Sequence, residues 1–231
     1  MHIPLSPRLR VCAGFVAKND RVADIGCDHG YLSIYLLESG IASAVIAADI
    51  REGPLQSAMR NAEKFGVAEK IRFFLSDGVE NIPRDFDVLV CAGMGGDTMI
   101  HILESAPWLR CGDYRLVLQC QSKTPMLRQY LSDTGWRITE EAVLRDGKFL
   151  YTVMEVYWQP EYPRLTAGEW YFPPALLENP GTELPAYFRW VLEGLRKATA
   201  HKEDPQKKLA LAQLEQLARD ENLTFLTEET T

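Results

Sequence analysis

Short apolar runs alternate with stretches of helical length along residues 21–160, and this alternation constrains the fold more than any other feature of the chain. The runs RVADIG, SAVIAADI, IRFFLSDG, FDVLVCAG and YRLVLQC are nearly continuous in apolar residues, as strands covered on both faces are. The stretches between them are amphipathic, and Gly40, Gly66 and Gly135 stand where three of them stop. The sequence therefore predicts an α/β domain built on five parallel strands.

The pattern changes after residue 135. The segment WRITEEAVLRDGKFLYTVMEVYW contains two strand-like runs around Asp146-Gly147, a dipeptide suited to a tight hairpin turn. Five parallel strands followed by an antiparallel hairpin differ from the six parallel strands of a dinucleotide dehydrogenase. This order resembles the Rossmann-like sheet of the class I methyltransferases, with helices on both faces. Residues 1–158, including a short first helix, are expected to form that domain.

Residues 159–231 have a different composition. Six of the thirteen prolines fall within residues 160–185, which indicates an irregular linker. Two helices are predicted to follow it, over residues 186–201 and 205–220. Their apolar residues recur at three- and four-residue spacing, so we expect the helices to face each other as a hairpin. The facing residues are Phe188, Val191, Leu192, Leu195, Leu211, Leu214 and Ala218.

The overall charge and the cysteines limit the classes of partner. The net charge of −7 argues against a general nucleic-acid surface, although a local basic stripe on an acidic protein can still bind RNA.

The five cysteines are scattered without metal-ligand spacing, so reduced thiols are expected and no metal site. The first twenty residues hold no apolar run of secretory length, and no later run approaches a membrane span. We expect a cytoplasmic protein without a membrane partner, and a monomer.

The segment DIGCDHG, residues 24–30, limits the classes of ligand that the chain can bind. A turn between a strand and a helix presents backbone N–H groups that favour anions, but a carboxylate at Asp28 would repel a pyrophosphate. Gly26 and Gly30 are four apart, so the dinucleotide fingerprint is absent. S-adenosylmethionine carries a sulfonium and an ammonium and no phosphate, and it suits an acidic loop. The alternative is that Asp28 caps a helix beginning near His29, and the two roles can coexist.

Further acidic and glycine residues follow the next strands. Asp49 stands 25 residues after Asp24, close to the offset at which an acid takes ribose hydroxyls. The Asp77-Gly78 pair can accept the adenine amino group and admit the ring, or it can be a plain turn. The segment AGMGG, residues 92–96, removes side chains where a substrate and a methyl donor would meet. The predicted cofactor site is Asp24, Gly26, Cys27, Asp28, Gly30, Asp49, Ile50, Asp77, Gly78, Ala92, Gly93, Met94 and Gly95.

Five motifs occur in a fixed order: ADIGCDHGYL, DIREGPLQSAMRN, SDGVE, AGMGG and DGKFLYTVMEV. With them the chain resembles the bacterial tRNA (adenine-22 N1)-methyltransferase family across residues 5–158. The resemblance implies an S-adenosylmethionine cofactor, a tRNA partner and a coiled-coil-like appendage that grips the tRNA. Two departures occur: Ser33 replaces a frequent proline within a helix, where it should be harmless, and Gln119 to Gln121 replace a frequent Gln-Pro-Asn in a loop that could contact the target base.

The resemblance also implies roles for three residues. Adenine N1 carries a lone pair and no proton, so its methylation needs in-line positioning more than a base. Asp28 is the candidate catalytic residue, as a counter-charge to the cationic product or as an acceptor for the N6 amino proton. His29 and Tyr31 would stack on or hydrogen-bond the extracted base, unless they are an ordinary loop histidine and a core tyrosine.

Cations at both ends of the chain are the candidates for holding tRNA. Each of them can instead belong to a solvated helix face. They are Arg8, Arg10, Arg189, Arg196, Lys197, Lys202, Lys207 and Lys208.

Three other functions stay open at this point. One is a methyltransferase acting on a small molecule or a protein, which the net negative charge would suit. Another is a protein that holds S-adenosylmethionine or RNA without turnover, which would need neither the carboxylate nor an open glycine loop. A nicotinamide enzyme is the last, and the missing fingerprint argues against it.

Overall fold

The computed structural model describes residues 3–200, 203–220 and 223. The strands are β1 Arg21–Ile25, β2 Ala44–Asp49, β3 Ile71–Leu75, β4 Val88–Gly95, β5 Arg115–Ser122, β6 Trp136–Asp146 and β7 Phe149–Trp158. The helices are α1 Pro7–Gly14, α2 Tyr31–Glu38, α3 Glu52–Lys64, α4 Gly96–Ser105, α5 Thr124–Asp133, α6 Ala175–Glu178, α7 Leu184–Ala200 and α8 Pro205–Leu217. Short 3-10 turns occupy Ala68–Lys70 and Pro107–Leu109.

The strands form one seven-stranded sheet in the order β3-β2-β1-β4-β5-β7-β6. Strands β1 to β5 are parallel, while β7 pairs antiparallel with β5 and β6 with β7. The predicted α/β, Rossmann-like sheet with a closing antiparallel hairpin is therefore confirmed. The turn lies one residue later than predicted, because Asp146 pairs with Phe149 and leaves Gly147, at φ +61°, and Lys148 as the two turn residues.

The order of the strands determines which edge of the sheet can bind a ligand. After β1 the chain fills one side of the sheet with β2 and β3, and it then returns to build β4 and β5 on the other side. The carboxyl ends of parallel strands beside such a reversal form a crevice. The loops after β1, β2, β3 and β4 therefore meet at one edge of the sheet.

The apolar runs explain why the sheet forms. Four of the five residues of β1 are buried, and separate clusters of buried side chains lie on the two faces of the sheet. The predicted helix ends hold as well: Gly40, Gly66 and Gly135 all have positive φ, the conformation that glycine adopts after a helix. Sheet and helices therefore follow from the pattern of apolar residues.

The last two helices form the predicted hairpin. Helix α7 begins two residues earlier than expected, at Leu184, and α8 ends at Leu217, three residues short of the prediction. Their apolar faces join one cluster, which also takes Val143 and Leu150 from the β6–β7 hairpin. The division into domains at residues 1–158 and 159–231 stays a prediction, because this cluster contains residues of both.

One buried ion pair ties the linker to the sheet. Arg128 on α5 and Glu141 on β6 are both fully buried, with Nη2 2.6 Å from Oε1. Arg128 Nη1 also donates to the carbonyl oxygens of Trp170 and Tyr171 at 3.0 Å. A buried guanidinium N–H group without a hydrogen-bond acceptor would cost folding free energy. The residues after β7 are thus held in place by polar contacts as well as by apolar packing.

Two further findings concern the described part of the chain. The cysteines there are free thiols, and all but Cys111 are buried. None of the described helices combines the length and the apolar character needed to cross a membrane.

Candidate functional site

A cleft of about 410 Å³ opens at the carboxyl edge of the sheet. Most of the predicted cofactor residues line it, together with Arg8, Arg51 and Gln121. Gly30 and Gly95 are not among its lining residues. The predicted residues that line the cleft are Asp24, Gly26, Cys27, Asp28, Asp49, Ile50, Asp77, Gly78, Ala92, Gly93 and Met94.

Two glycines shape the loop between β1 and α2. Gly26 has φ +72° and donates its N–H to the Ala48 carbonyl at 2.8 Å, which folds the chain back over β2. Gly30 also has φ +72°, and a Cβ there would lie 2.9 Å from the Cβ of Ala58 on α3. A side chain at Gly30 would therefore meet both backbone strain and a packed neighbour. Gly30 supports the loop from behind, outside the cleft.

Asp49 holds the loop in place through two hydrogen bonds. Its buried carboxylate accepts the N–H of Asp28 at 3.1 Å and the N–H of Arg51 at 2.9 Å. A carboxylate has about four acceptor positions, so these two bonds orient the group and leave capacity for ligand hydroxyls. This is the arrangement that the predicted ribose contact requires.

Asp24 lies beneath the loop, almost fully buried at the end of β1. Ser33 Oγ donates to its Oδ2 at 2.6 Å. Burial raises the pKa of Asp24 to about 6, and the hydrogen bond from Ser33 opposes that rise. Ser33 lies within α2 as expected, and its hydroxyl favours the ionised form of this carboxylate. That serine at this position is harmless to the chemistry stays a prediction.

Asp28 is one of the residues that line the cleft. The side chain is 60% exposed and the residue has φ +51°, a left-handed conformation that aspartate tolerates. Helix α2 begins at Tyr31, with Gly30 as its N-cap and without a side-chain capping bond. The capping interpretation of Asp28 is therefore wrong, and a helix start near His29 is wrong by two residues.

His29 and Tyr31 lie beside the loop and do not line the cleft. His29 Nε2 is 3.9 Å from Asp28 Oδ1, and its carbonyl accepts the Asn61 amide at 2.9 Å. The rings of His29 and Tyr31 are 6.0 Å apart, which is within the range of aromatic contact. Their contact with a substrate base stays a prediction.

The end of β4 is linked to β5 and to the first helix. Gln119 Oε1 accepts the N–H of Gly93 at 3.1 Å and Arg8 Nη1 at 3.4 Å. Arg8 Nε donates in turn to Asp146 Oδ2 on the β6–β7 hairpin, at 2.8 Å. Arg8 thus reaches into the cleft, a position that its prediction as a tRNA contact did not include.

Part of the cleft lining is apolar. Ile50 leaves 60% of its surface exposed, and Gly78, in the loop after β3, also lines the cleft. Gly78 has φ +52°, and a Cβ there would lie 2.9 Å from Ile102 Cγ1. The sequence did not single out Ser76, Thr98 or Ile102, which also line the cleft. No spacing rule marks them, because they face the cleft only once the strands are paired.

The lining of the cleft is acidic overall. It contains the carboxylates Asp24, Asp28, Asp49 and Asp77 against two guanidinium groups. Burial also raises the pKa of the Cys27 thiol, so that this residue stays neutral beside the carboxylates. Within the described residues no cluster of three or more His, Cys, Asp or Glu side chains is suited to a metal ion. The arrangement favours a cationic ligand with hydroxyl groups.

The predicted tRNA contacts on the C-terminal helices are mostly paired with carboxylates. Arg196 lies 2.9 Å from Glu215, and Lys197 lies 3.8 Å from Glu193. Lys202 lies outside the described residues. Their role in binding RNA stays a prediction.

The predicted tRNA contacts on α8 are also paired with carboxylates. Lys207 lies 2.9 Å from Asp204, and Lys208 lies 2.6 Å from Glu203. Arg10 lies over the ring of Tyr35, 5.9 Å from its centroid, and Arg189 is partly buried on α7. Arg8 alone among the described candidates lines the cleft.

Comparison with known proteins gives a consistent picture. A family model described as a methyltransferase domain matches residues 5–154. The tRNA (adenine(22)-N(1))-methyltransferase of Bacillus subtilis is 35% identical over 153 residues, which are 66% of this chain and 64% of that protein. A putative tRNA methyltransferase of Mycoplasma genitalium is 34% identical over 58% of this chain and 61% of its own. The matched segment thus spans less than two thirds of these curated relatives.

Solved structures extend the similarity to nearly the whole chain. A putative tRNA (m1A22) methyltransferase of Streptococcus pneumoniae has a TM-score of 0.80 at 29% identity, covering 92% of this chain and 99% of that one. That protein has also been solved in complex with S-adenosyl-L-methionine. The Bacillus subtilis M1A22 tRNA methyltransferase has a TM-score of 0.75 at 28% identity, covering 98% and 100%. The predicted resemblance to this family and its fold are confirmed.

Proposed function

Because this chain belongs to the methyltransferase-domain family, we propose that it is an S-adenosylmethionine-dependent enzyme that methylates N1 of adenine 22 in tRNA. The observation that carries the proposal is the cleft at the carboxyl edge, where four carboxylates face two guanidinium groups. A sulfonium cofactor suits that charge, and a dinucleotide phosphate does not. The cytoplasm, where tRNA is available, is the compartment that goes with this function.

The residues of the cleft fit the cofactor piece by piece. Asp49 would take the ribose hydroxyls, since its carboxylate is oriented by two backbone N–H groups and retains acceptor capacity. Ile50 and Gly78 would flank the adenine, with Asp77 near its amino group. Gly93 has no side chain and would therefore let the methionine moiety approach the backbone. Its N–H donates to Gln119 Oε1, which holds the backbone in position. When bound, S-adenosylmethionine supplies an electrophilic methyl group on a positively charged sulfur.

Positioning is the main task of the protein in this reaction. Adenine N1 already carries a lone pair, and holding two reactants in line can supply roughly 7 to 11 kcal/mol of the barrier. Gly93 carries no side chain where the cleft meets the end of β4, and Met94 beside it also lines the cleft. His29 and Tyr31 are near enough to the loop to contact an extracted base from its side.

Asp28 would act on the charge that develops on the base. The product, 1-methyladenine, is cationic, and the carboxylate of Asp28 is exposed to the cleft with His29 Nε2 3.9 Å away, beyond hydrogen-bond distance. A preorganised group of this kind is worth about 3 to 4 kcal/mol when it faces the developing charge. It would serve as a counter-charge or as an acceptor for the N6 amino proton.

A methyltransferase acting on a protein or a small molecule is the second candidate. It is supported by the net charge of −7 and by the carboxylate partners of the helical cations. Several more distant relatives are ribosomal protein L11 methyltransferases, including one 29% identical over 57% of this chain. The active-site features alone fit both substrates.

One experiment separates the candidates. The purified protein is incubated with methyl-labelled S-adenosylmethionine and, in parallel, with unmodified tRNA or with ribosomal protein. We expect label in the tRNA, recovered as 1-methyladenine after digestion. Label in protein alone would contradict the proposal and favour the second candidate, and label in neither would contradict both tRNA and ribosomal protein as substrates.

A further inference from the structure

A second cavity of about 230 Å³ lies beside the cleft, between the end of β5, strand β7 and helix α7. Gln121, at the end of β5, lines both spaces. The two spaces therefore adjoin at Gln121.

Aromatic rings form much of the wall of this cavity. They come from β7, the linker and α7, and Trp190 leaves 60% of its surface exposed although it is a large apolar side chain. Its ring centroid is 5.7 Å from that of Tyr187. Exposed rings beside a cavity are suited to stacking on another flat ring. The aromatic residues of the wall are Tyr151, Tyr171, Tyr187 and Trp190.

The wall is held rigidly by the buried ion pair. Arg128 Nη2 donates to the Tyr187 hydroxyl at 3.2 Å, and Nη1 donates to the Tyr171 carbonyl at 3.0 Å. Arg128 is itself paired with Glu141 in full burial. Two of the aromatic residues are thus fixed before any ligand arrives, which lowers the entropy cost of binding.

Cations lie at the rim of the cavity. Lys123, after β5, and Lys207, on α8, both belong to its lining, and none of the described lining residues is acidic. Each ammonium group has one carboxylate neighbour, Asp97 for Lys123 and Asp204 for Lys207. Ion pairs as exposed as these are weak, so a phosphate can replace the carboxylate at small cost. Aromatic walls with a cationic rim are the features by which proteins hold single-stranded nucleic acid.

We propose that this cavity receives one unpaired base of the RNA substrate, next to the target adenine, with its phosphate close to Lys123 and Lys207. The inference rests on the proposed function, because removing the target adenine from its stack leaves its neighbour without a partner ring. The cavity is smaller than the roughly 300 to 1,000 Å³ typical of ligand pockets, so it suits a single ring. Stacking of this kind tolerates any base.

Gly194 offers a way to fill the cavity without breaking the fold. It lines the cavity on α7, and a Cβ there would meet no atom within 4 Å. Gly194→Phe projects a ring into the space that the base would occupy. Gly194→Ala is the matched control, because it also replaces glycine by a better helix former and leaves the cavity open.

The test compares both variants with the wild type on unmodified tRNA. We expect Gly194→Phe to raise KM for tRNA about tenfold or more, the loss of one stacked base, while Gly194→Ala keeps the wild-type KM. The dissociation constant of S-adenosylmethionine should be the same in all three. Equal KM values for the Phe and Ala variants would overturn the inference. A wild-type protein that leaves tRNA unmethylated would contradict the proposed function itself, which separates the two failures.

A second variant guards against a Gly194→Phe protein that fails to fold. Trp190→Ala removes an exposed ring, and we expect it to raise KM for tRNA by a similar factor. The same variant is then assayed on tRNA with an abasic nucleotide on either side of the target. At one of the two positions the penalty of Trp190→Ala should disappear, because the base that stacks on the ring is already missing. An undiminished penalty at both positions would overturn the inference.

Discussion

At the scale of single residues, Asp28 combines two properties that a helix cap or a plain turn would not need. It lines the cleft with a largely exposed side chain, and Asp49 holds its left-handed backbone through the N–H of Asp28 at 3.1 Å. Asparagine tolerates the same conformation, so Asp28→Asn removes the charge and keeps the loop.

We expect Asp28→Asn to lower kcat on tRNA about 100-fold or more, the loss of one preorganised charge at the reacting atoms. The affinity for S-adenosylhomocysteine, which has a neutral sulfur, should stay within a few-fold of wild type in calorimetry. An Asp28→Asn enzyme with wild-type kcat would show that the carboxylate does not face the developing charge.

Asp24 gives a prediction about pH. Burial raises its pKa to about 6 in the folded state, while an unfolded aspartate titrates near 3.9. The folded protein therefore holds the proton more tightly, so Asp24 favours folding below about pH 4, and this contribution is lost as the pH rises to 6. The loss should amount to about 2 to 3 kcal/mol.

Asp24→Asn removes this titration and keeps an oxygen that can accept from Ser33 Oγ. Between pH 4 and 7, the free energy of unfolding of the wild type should fall relative to that of the variant, measured by urea unfolding without cofactor. Parallel pH profiles for the two proteins would contradict the burial account of Asp24.

The sequence predicts the residues that follow strands and misses those that reach the cleft from afar. Asp49 and Asp77 follow strands whose ends must meet, so their position could be inferred from the pattern. Arg8 enters through a bond to Gln119, 111 residues away, and another to Asp146, 138 residues away. Contacts over such separations leave no mark in local spacing.

At the scale of secondary-structure elements, the buried Arg128–Glu141 pair joins α5 to β6 and both to the linker. Removing one member leaves a charge without a partner in the interior, which costs about 3 to 5 kcal/mol. We expect Arg128→Met and Glu141→Leu each to show a loss of that size in chemical unfolding.

The double variant Arg128→Met/Glu141→Leu is the control for this prediction. It leaves no unpaired charge, and its loss should be smaller than that of either single variant. A double variant whose loss equals the sum of the two singles would show that the residues act independently. The carbonyl oxygens of Trp170 and Tyr171 lose Arg128 both in Arg128→Met and in the double variant, so Arg128→Met is the single variant that shares this cost.

The elements themselves were predictable where local pattern decides them. The β6–β7 hairpin and the two last helices follow from a turn dipeptide and from apolar spacing. The turn lies one residue later, and Asp146 is thereby the last strand residue, where it can bind Arg8. That shift depends on the register of the strand pair, which the dipeptide alone does not specify.

At the scale of the whole molecule, the protein would hold an anionic substrate although its net charge is −7. Most of the described candidate cations on α7 and α8 have carboxylate neighbours. Each phosphate that binds such a cation must first displace a carboxylate, so we expect only a few of these contacts, about three, and a shallow slope of roughly −2 to −3 for log K against log salt concentration. Titration of tRNA binding between low and moderate salt measures it. A slope near −8 would contradict this distribution of charge.

The cavity beside the cleft is a property of the whole molecule that the sequence did not reveal. Its walls come from β5, β7, the linker, α7 and α8. These are brought together by Arg128 and by the hydrophobic cluster that α7 and α8 share with the β6–β7 hairpin. The sequence alone does not distinguish Trp190 from the other apolar residues of its helix. Its exposure beside a cavity emerges only from the packing of α7 against β7.

The most direct measurement maps the methyl group on the RNA. One tRNA transcript carries adenine at position 22, and a second is identical except for guanine there. Both are incubated with the protein and S-adenosylmethionine, and reverse transcription then stops wherever N1 of an adenine is methylated, because that atom is needed for pairing. The account predicts a stop at position 22 in the first transcript and none in the second. A stop at another adenine, or no stop in either transcript, would contradict it.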